Sequence, residues 1–376
     1  MALALWSISQ PGRSGCCAVK TRLVKTILRP AINNPRIAVV GAGLIGQRHA
    51  KLILDGADAM LSAIVDPTGA ARSFAGEIDA PWYASIADML VADRPDGLIV
   101  ATPNQLHLDH GLQAVEAGLP ALIEKPIADS VAAAEKLVSA AEAAKIPLLI
   151  GHHRRHNPLI ADAKANIDAG QLGKLVAVNA MFWLYKPDDY FDVEWRRKPG
   201  AGPVYINLIH DIDLLRHLVG EVASVQAIQS SAARGHEVED TAAALLTFEN
   251  GALGTISASD GIVGPWSWEQ TAGENPAYPE TDQHCYLIGG TKGSLSLPNG
   301  EIWGQDEPRS WWRDFQRSGP AIPSDADPLV RQIAHFCDVI RGQAAPLVSG
   351  REGLQTLNVI EALKQSADTG ETITLI

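Results

Sequence analysis

The chain predicts an α/β protein built in two parts, a parallel sheet with crossover helices followed by a domain of longer, mostly antiparallel strands. Three observations predict it. From Pro35 to Ile150, short apolar runs alternate with helical runs. After Gly151 the strand-like runs lengthen, and turn signals such as Glu249-Asn250-Gly251 and Gly289-Gly290 separate several of them. The 376 residues, 46% hydrophobic and 20% charged, are globular in composition and too many for one ordinary core. The expected divisions are 35–152 and 153–328 for the two domains, 329–376 for helices returning toward the first, and 1–34 for an extension.

The first strand is expected at Ile37 to Val40, and Gly41-Ala42-Gly43-Leu44-Ile45-Gly46 follows it directly. At this spacing Gly41 permits a tight turn, Gly43 lets the backbone approach a pyrophosphate, and Gly46 lets the next helix pack closely on the sheet. Phosphates would then lie at a helix N-terminus, where unpaired amides and the dipole favour anions. A lone glycine pattern is weak, since an ordinary strand-turn-helix corner can carry it, but its context supports a dinucleotide site. A helical run from Gln47 to Leu54 follows, and a second strand, Met60 to Val65, ends in Asp66, where a carboxylate can bind ribose hydroxyls. That carboxylate repels a 2′-phosphate. Pro67 and Thr68 come next and the nearest arginine, Arg72, is six residues on, so NAD is expected over NADP.

Further strands are expected at Gly97 to Ala101, Ala121 to Ile123 and Leu148 to Ile150, with helices at Leu106 to Ala117 and Ser130 to Ala144. The run Ala121 to Ile123 ends in Glu124-Lys125-Pro126, at the strand end where open α/β sheets bind ligands. There the Lys125 ammonium is placed to stabilise developing alkoxide charge; the other reading is a surface lysine paired with Glu124. In the second part, strands are expected at Leu175 to Trp183, Ala223 to Ser231, Thr241 to Phe248, Ala252 to Ser259, Tyr286 to Ile288 and Ser294 to Leu297. Ala242-Ala243-Ala244-Leu245-Leu246 is apolar on both faces, so one face should meet helices and the other a second subunit. The stretch from Gly264 to Tyr278 is too irregular for a strand and reads as a lid or an oligomer contact. Runs from Leu329 to Ile340 and Gly353 to Ser366 read as helices.

Composition excludes several classes. A net charge of −12 without a Lys/Arg cluster argues against nucleic acid, and no apolar stretch approaches the eighteen residues of a membrane span. Cys16, Cys17, Cys285 and Cys337 form neither a metal spacing nor a disulfide framework, so the reducing cytoplasm is expected. His152, His153 and His156 lack matching ligands nearby, and no metal is expected. Residues 1–34 hold Arg13, Lys20, Arg22, Lys25 and Arg29, no acid, and none of the marks of a secretory signal. A disordered extension is expected there, with an arm on a partner subunit as the alternative.

Helical spacing from Tyr205 to Leu218 places Asn207, His210, Asp211 and Leu214 on one face. A histidine exchanges protons near neutrality, which makes His210 a candidate base that Asp211 or Asp213 would orient. An isolated helical histidine is more often a packing residue. The remaining motifs tip that balance. The glycine loop, Thr102-Pro103-Asn104 with His107, Glu124-Lys125-Pro126, the segment from Gly151 to Pro158, and His210-Asp211-Ile212-Asp213 together resemble the glucose-fructose oxidoreductase, inositol dehydrogenase and rhizopine catabolism (Gfo/Idh/MocA) family across nearly the whole chain after residue 34.

The resemblance implies a Rossmann domain, a second domain with a large open sheet, and a homodimer or homotetramer formed through that sheet. It also implies nicotinamide-dependent oxidation or reduction of a sugar, polyol or related alcohol. Carried over residue by residue, it puts Gly41, Gly43, Leu44, Ile45, Gly46, Asp66, Thr102, Pro103, Asn104, His107, Glu124 and Lys125 at the cofactor, with Lys125 and His210 catalytic. Many relatives carry an aspartate where this chain has Ile206, so the Lys-Asp-His triad of inositol dehydrogenases is incomplete, and Asn207 is expected to contact substrate instead. Arg154, Arg155, Asp211, Trp195 and Arg196 are the other expected substrate contacts: arginine binds carboxylates or hydroxyls, and tryptophan stacks on a sugar face. For each arginine and tryptophan an interdomain salt bridge or core packing is an equal reading. The leading expectation is an NAD-dependent dehydrogenase of a cyclic polyol or sugar. One alternative is an aromatic dihydrodiol dehydrogenase using Arg154 or Arg155 on a ring carboxylate; another is a nucleotide-binding regulator without chemistry.

Overall fold

A computed structural model describes residues 33–319 and 327–375 of the protein. The extension expected over 1–34 lies outside the described residues except for Asn33 and Asn34. The first domain runs β1 (Arg36–Val40), α1 (Leu44–Asp55), β2 (Met60–Val65), α2 (Gly69–Glu77), β3 (Trp82–Tyr83), α3 (Ile86–Ala92), β4 (Gly97–Val100), α4 (His107–Glu116), β5 (Ala121–Ile123), α5 (Val131–Ala144) and β6 (Leu148–Ile150). Its strands form one parallel sheet in the order β3-β2-β1-β4-β5-β6. The continuous apolar runs are explained by burial on both faces: Ile37 to Val40 and Leu98 to Val100 are shielded completely or nearly so. Thr68, Ser85 and Ser130 cap the helices that follow them by accepting a backbone N–H three residues on. The elements α2, β3 and α3, absent from the sequence reading, are short and carry little periodicity.

The parallel register lines up the strand ends. Gly41 N donates to Val65 O at 2.8 Å, Ala101 N to Val40 O at 2.7 Å, Glu124 N to Val100 O at 2.9 Å and Gly151 N to Ile123 O at 2.8 Å. The glycine turn, Asp66, Thr102, Glu124-Lys125 and His152 therefore share one edge of the sheet, at the point where strand order reverses between β1 and β4.

The rest of the chain supplies α6 (Pro158–Asp168), β7 (Leu175–Trp183), α7 (Ile209–Val219), β8 (Val222–Ser230), β9 (Thr241–Phe248), β10 (Leu253–Ser259), α8 (Trp268–Thr271), β11 (Tyr286–Gly290), β12 (Gly293–Leu297), β13 (Glu301–Gly304), β14 (Gln316–Ser318), α9 (Pro328–Arg341), α10 (Gly350–Thr369) and β15 (Ile373–Thr374). Its open sheet has the order β14-β13-β12-β11-β7-β10-β9-β8-β15, antiparallel at every pairing except β7 with β10. Along β9, Ala242, Ala244, Leu246 and Phe248 are buried against helices, while Ala243, Leu245 and Thr247 face outward. The Ala-rich run is therefore two-faced, and its outer face continues through exposed Ile228 and Leu253.

The two C-terminal helices divide their packing. Ile333, Phe336, Cys337 and Val339 of α9 belong to the core of the first domain. Leu354 and Leu357 of α10 do too, whereas Val359, Ile360 and Leu363 of the same helix belong to the core under the open sheet. Among the described residues, no helix is long and apolar enough to cross a membrane.

Candidate active site

Gly41 adopts φ +92°, and a Cβ there would lie 2.7 Å from Ala101 O. At Gly46 a Cβ would come within 1.9 Å of Gly41 O, so the start of α1 fits beneath the turn only without a side chain. Around Gly43, by contrast, the corresponding space is open, no side chain caps α1, and Leu44 is exposed. The first-turn amides of α1 are thus free to meet an anion. Gly46→Ala should lower folding stability by about 3 kcal/mol and weaken NADH binding. Chemical denaturation and NADH fluorescence titration check this, and an unchanged midpoint with unchanged affinity would contradict it.

Asp66 closes the cradle from the end of β2. Its Oδ2 accepts Ala42 N at 3.0 Å, and its Oδ1 accepts Thr68 N at 2.9 Å and Thr68 Oγ1 at 2.6 Å. Burial works to raise this carboxyl, but the bonds from Thr68 and Ala42 outweigh it and hold it below the ordinary range. An ionised carboxylate fixed beside the glycine turn suits the ribose diol of NAD and opposes a 2′-phosphate.

Behind the loop after β4, His107 is buried with its ring nitrogens 2.8 Å from Thr102 O and 2.7 Å from Pro126 O. The sequence reading put His107 at the cofactor. The structure instead makes it a strut between two loops, because both nitrogens are engaged by backbone carbonyls. Thr102 and Asn104 remain part-exposed on the strand-end edge beside Pro103.

Glu124 also turns inward. Its Oε1 lies 2.8 Å from His49 Nε2 and its Oε2 accepts Lys125 N at 3.3 Å. Burial alone would raise its pKa; the His49 hydrogen bond and the charges around it carry it below the usual value. Gly151 makes the room, since a Cβ there would strike Glu124 Oε2 at 2.7 Å. Lys125 is therefore not a surface lysine paired with Glu124. Its Nζ donates instead to Ile206 O at 2.8 Å.

Ile206 lies in a π-helical turn, Val204–Leu208, immediately before α7. Such a turn interrupts the regular helical ladder and often marks a functional site. In this chain a backbone carbonyl, that of Ile206, thus meets the lysine. His210, in the first turn of α7, is nearly buried, and its Nδ1 has no hydrogen-bond partner. Its ring stands edge-on to His153, with centroids 5.1 Å apart. Burial, with the Lys125 and Arg154 charges behind it, pushes the His210 ring well below its ordinary pKa. Burial pushes Lys125 down to about 8, the Glu124 charge opposing it and Arg154 adding to it. At neutral pH the pair is a neutral imidazole next to an ammonium that titrates easily.

His210 borders a cavity of about 180 Å³ shared with His153, Arg154, Trp268, Glu269 and Glu274. Arg154 is wholly engaged at its edge, donating to Asp211 Oδ1 at 3.0 Å and Glu269 Oε1 at 2.7 Å. Tyr286 OH also donates to Asp211 Oδ1. Burial raises the Asp211 carboxyl to about 6 against the Arg154 charge. Asp213 is taken by Arg155, at 2.8 Å and 2.7 Å. Neither aspartate orients His210 as expected, because their positions on α7 turn them toward the two arginines.

The structure thus brings Lys125, His210, Arg154 and Asp211 together and leaves Asn207 Oδ1 buried without a partner in the turn beside them. Arg155 belongs to a buried ion network with Asp213 and Glu352, which engages its guanidinium. Trp195 is exposed and Arg196 stacks over Tyr190 at 4.1 Å; neither borders the cavity. Glu269, Glu274 and Tyr286 were not singled out from the sequence. The stretch from Gly264 to Tyr278, read as a lid or an oligomer contact, carries the first two together with Trp268, and it forms a wall of the site.

Comparison with known proteins agrees with this architecture. Residues 35–152 match the family description "Oxidoreductase family, NAD-binding Rossmann fold" and residues 164–375 match "Oxidoreductase family, C-terminal alpha/beta domain". The chain is 29% identical to the rhizopine catabolism protein MocA of Rhizobium meliloti, over 87% of this chain and 93% of that protein. It is 31% identical to the NAD(+)-dependent scyllo-inositol 2-dehydrogenase of Bacillus subtilis, over 60% and 67% of the two chains. Among solved structures, the WlbA dehydrogenase of Bordetella pertussis in complex with NADH and UDP-GlcNAcA superimposes with a TM-score of 0.73 at 27% identity, covering 91% of this chain and 99% of that one. The glycine cradle, the acidic strand end and both halves of the chain lead to one assignment: this is an NAD-binding oxidoreductase that belongs to the Gfo/Idh/MocA family.

Proposed function

We propose that this oxidoreductase converts a secondary hydroxyl of a cyclic polyol or sugar to a ketone, using NAD. The observation that carries the reading is the bond from Lys125 Nζ to Ile206 O, which draws the strand-end lysine of the Rossmann sheet to the helical turn before His210. The glycine loop from Gly41 to Gly46, Asp66, and the Thr102-Pro103-Asn104 loop would hold the cofactor. When bound, NAD supplies the hydride acceptor. His210, neutral at working pH, takes the hydroxyl proton. Lys125 donates to the reacting oxygen and stabilises charge as it develops. The relatives' printed names, among them inositol and apiose dehydrogenases, support a polyol or sugar substrate.

The dihydrodiol alternative loses its binding group, since Arg154 and Arg155 are both engaged by internal carboxylates. The test is NADH production at 340 nm from NAD across inositols, aldoses, sugar acids and aromatic dihydrodiols. Turnover within the first two classes supports the reading. Tight NADH binding with no turnover anywhere would replace it with a regulator.

The outer face of the open sheet supports assembly into a homodimer or homotetramer, because Ile228, Leu245 and Leu253 form a continuous exposed apolar surface. Light scattering should give a multiple of the 40.1 kDa chain. The Leu245→Glu/Leu253→Glu variant should fall to one chain, and a wild-type monomer would refute the assembly.

A further inference from the structure

The segment from Gly151 to Pro158 carries a histidine to which the reaction so far gives no task. His152 follows β6 directly, its backbone N donating to Ile150 O at 2.7 Å, and its side chain is buried. Both of its ring nitrogens lack a hydrogen-bond partner, as does Nδ1 of His210. The two rings stand edge-on with centroids 5.9 Å apart. Unpaired polar nitrogens are costly inside a protein, and here three of them sit on two neighbouring rings. The surroundings of those rings differ in sign. Beyond burial, the leading charges on His210 are Lys125 and Arg154, and both oppose a proton there. On His152 the largest charge is the Asp213 carboxylate, which favours one, while Arg155, Lys125 and Arg216 each oppose it less. Burial brings the His152 ring down to about 4, and its ion pair with Arg155 helps keep Asp213 charged. A proton taken up by His210 is therefore poorly placed on that ring and better placed on the next.

We propose that His152 is the second half of a two-ring base, which takes over the proton that His210 removes from the substrate hydroxyl and carries it beside Asp213. The inference rests on the dehydrogenase reading and adds a residue to it. Nδ1 of His210 is the buried nitrogen, which leaves Nε2 for the substrate. The carbinol carbon gives its hydride to NAD, the hydroxyl gives its proton to Nε2, and a C=O forms. The Nδ1 proton of the same ring crosses one water to a nitrogen of His152, so that His210 is neutral again while Lys125 holds the oxygen. After the ketone leaves, the proton returns through His210 to water in the emptied cavity. His152 touches neither substrate nor cofactor, and it acts through His210 as a positioning residue. Asp213, which the sequence offered as a partner of His210, thereby acts on it one ring removed.

The test compares His152→Phe, His152→Ala and His156→Phe with wild type on the best substrate of the polyol and sugar panel, with melting curves to confirm folding. His152→Phe keeps a ring of similar shape without its nitrogens. It should lower kcat by about 10²-fold, the lower end for a positioned proton-transfer group, with KM and NADH affinity unchanged. The solvent deuterium isotope effect on kcat should grow in the same variant, because proton transfer then limits the rate. Added imidazole should restore turnover saturably in His152→Ala, where the space left takes a free ring. His156, whose ring meets His335 at 5.3 Å instead, is the control, and His156→Phe should keep wild-type kcat. A folded His152→Phe that keeps most of its kcat, a loss in His152→Ala that imidazole does not recover, or an equal loss in His156→Phe overturns the proposal and leaves the dehydrogenase reading intact. Failure of the wild type to turn over any alcohol removes that reading, and this proposal with it.

Discussion

His210→Ala lowers kcat/KM for alcohol oxidation by about 10²–10⁴-fold, the usual worth of a positioned general base, while NADH still binds. The ring borders the cavity, and its Nδ1 has no hydrogen-bond partner. Burial and the neighbouring cations keep it neutral. The substitution should leave α7 in place, because that helix is anchored by other residues. Asp211 bonds Arg154 and Tyr286, Asp213 bonds Arg155, and Arg216 donates to Thr356 Oγ1 at 2.8 Å. Stopped-flow or steady-state assays with the best substrate decide it, with a melting curve to confirm folding. A folded variant that retains more than about a tenth of wild-type turnover would remove His210 from the reaction.

Lys125→Met costs about 10²–10³-fold in kcat, in line with the loss of one donor to a developing oxyanion. Methionine keeps the unbranched stem and removes only the charge and the bond to Ile206 O. The pH profile carries an independent signature. The ammonium is the active form, and its folded pKa is lowered from 10.5 to about 8. Lys125 is therefore charged below about pH 8 and loses its proton as pH rises through it, so kcat/KM falls on that alkaline limb. His210 contributes no acid limb near pH 6.5, since it stays neutral well below that value. Lys125→Arg, charged throughout, should be slower than wild type but lack the alkaline fall. An alkaline limb that persists unchanged in Lys125→Arg would assign it to another group.

The parts of this site that were legible in the sequence are those whose chemistry is local. The glycine loop and Asp66 announce themselves because a strand, a turn and a helix in succession fix where phosphate and ribose lie. Lys125 is legible for the same reason, as the residue just past a buried strand. What the sequence concealed is partner choice. Arg154 meets Asp211 and Glu269 across 57 and 115 residues, and no periodicity encodes which carboxylate it finds. The two arginines looked equivalent side by side, yet one borders the cavity and the other is locked to Asp213 and Glu352. The π-helical turn at Val204–Leu208 was equally hidden, because it shares the side-chain spacing of a helix over so short a length. Glu274 was missed because its segment has no regular structure, and irregular segments yield composition but not direction.

The shared packing of α9 and α10 sets an order on biosynthesis. As the chain leaves the ribosome, β1 to β6 emerge first and can begin to pair. They do so without Phe336, which lies against Gly97, and without Val348, whose carbonyl accepts Ile150 N at 2.8 Å along the free edge of β6. That edge and the apolar surface beside it stay uncovered until α9 and the segment at Val348 have been translated. An open parallel-sheet edge is a template for pairing with another nascent chain. The first domain therefore depends on α9 and on the chain around Val348 to protect a sheet translated before them, and a stop near residue 345 should leave the β6 edge open to aggregation.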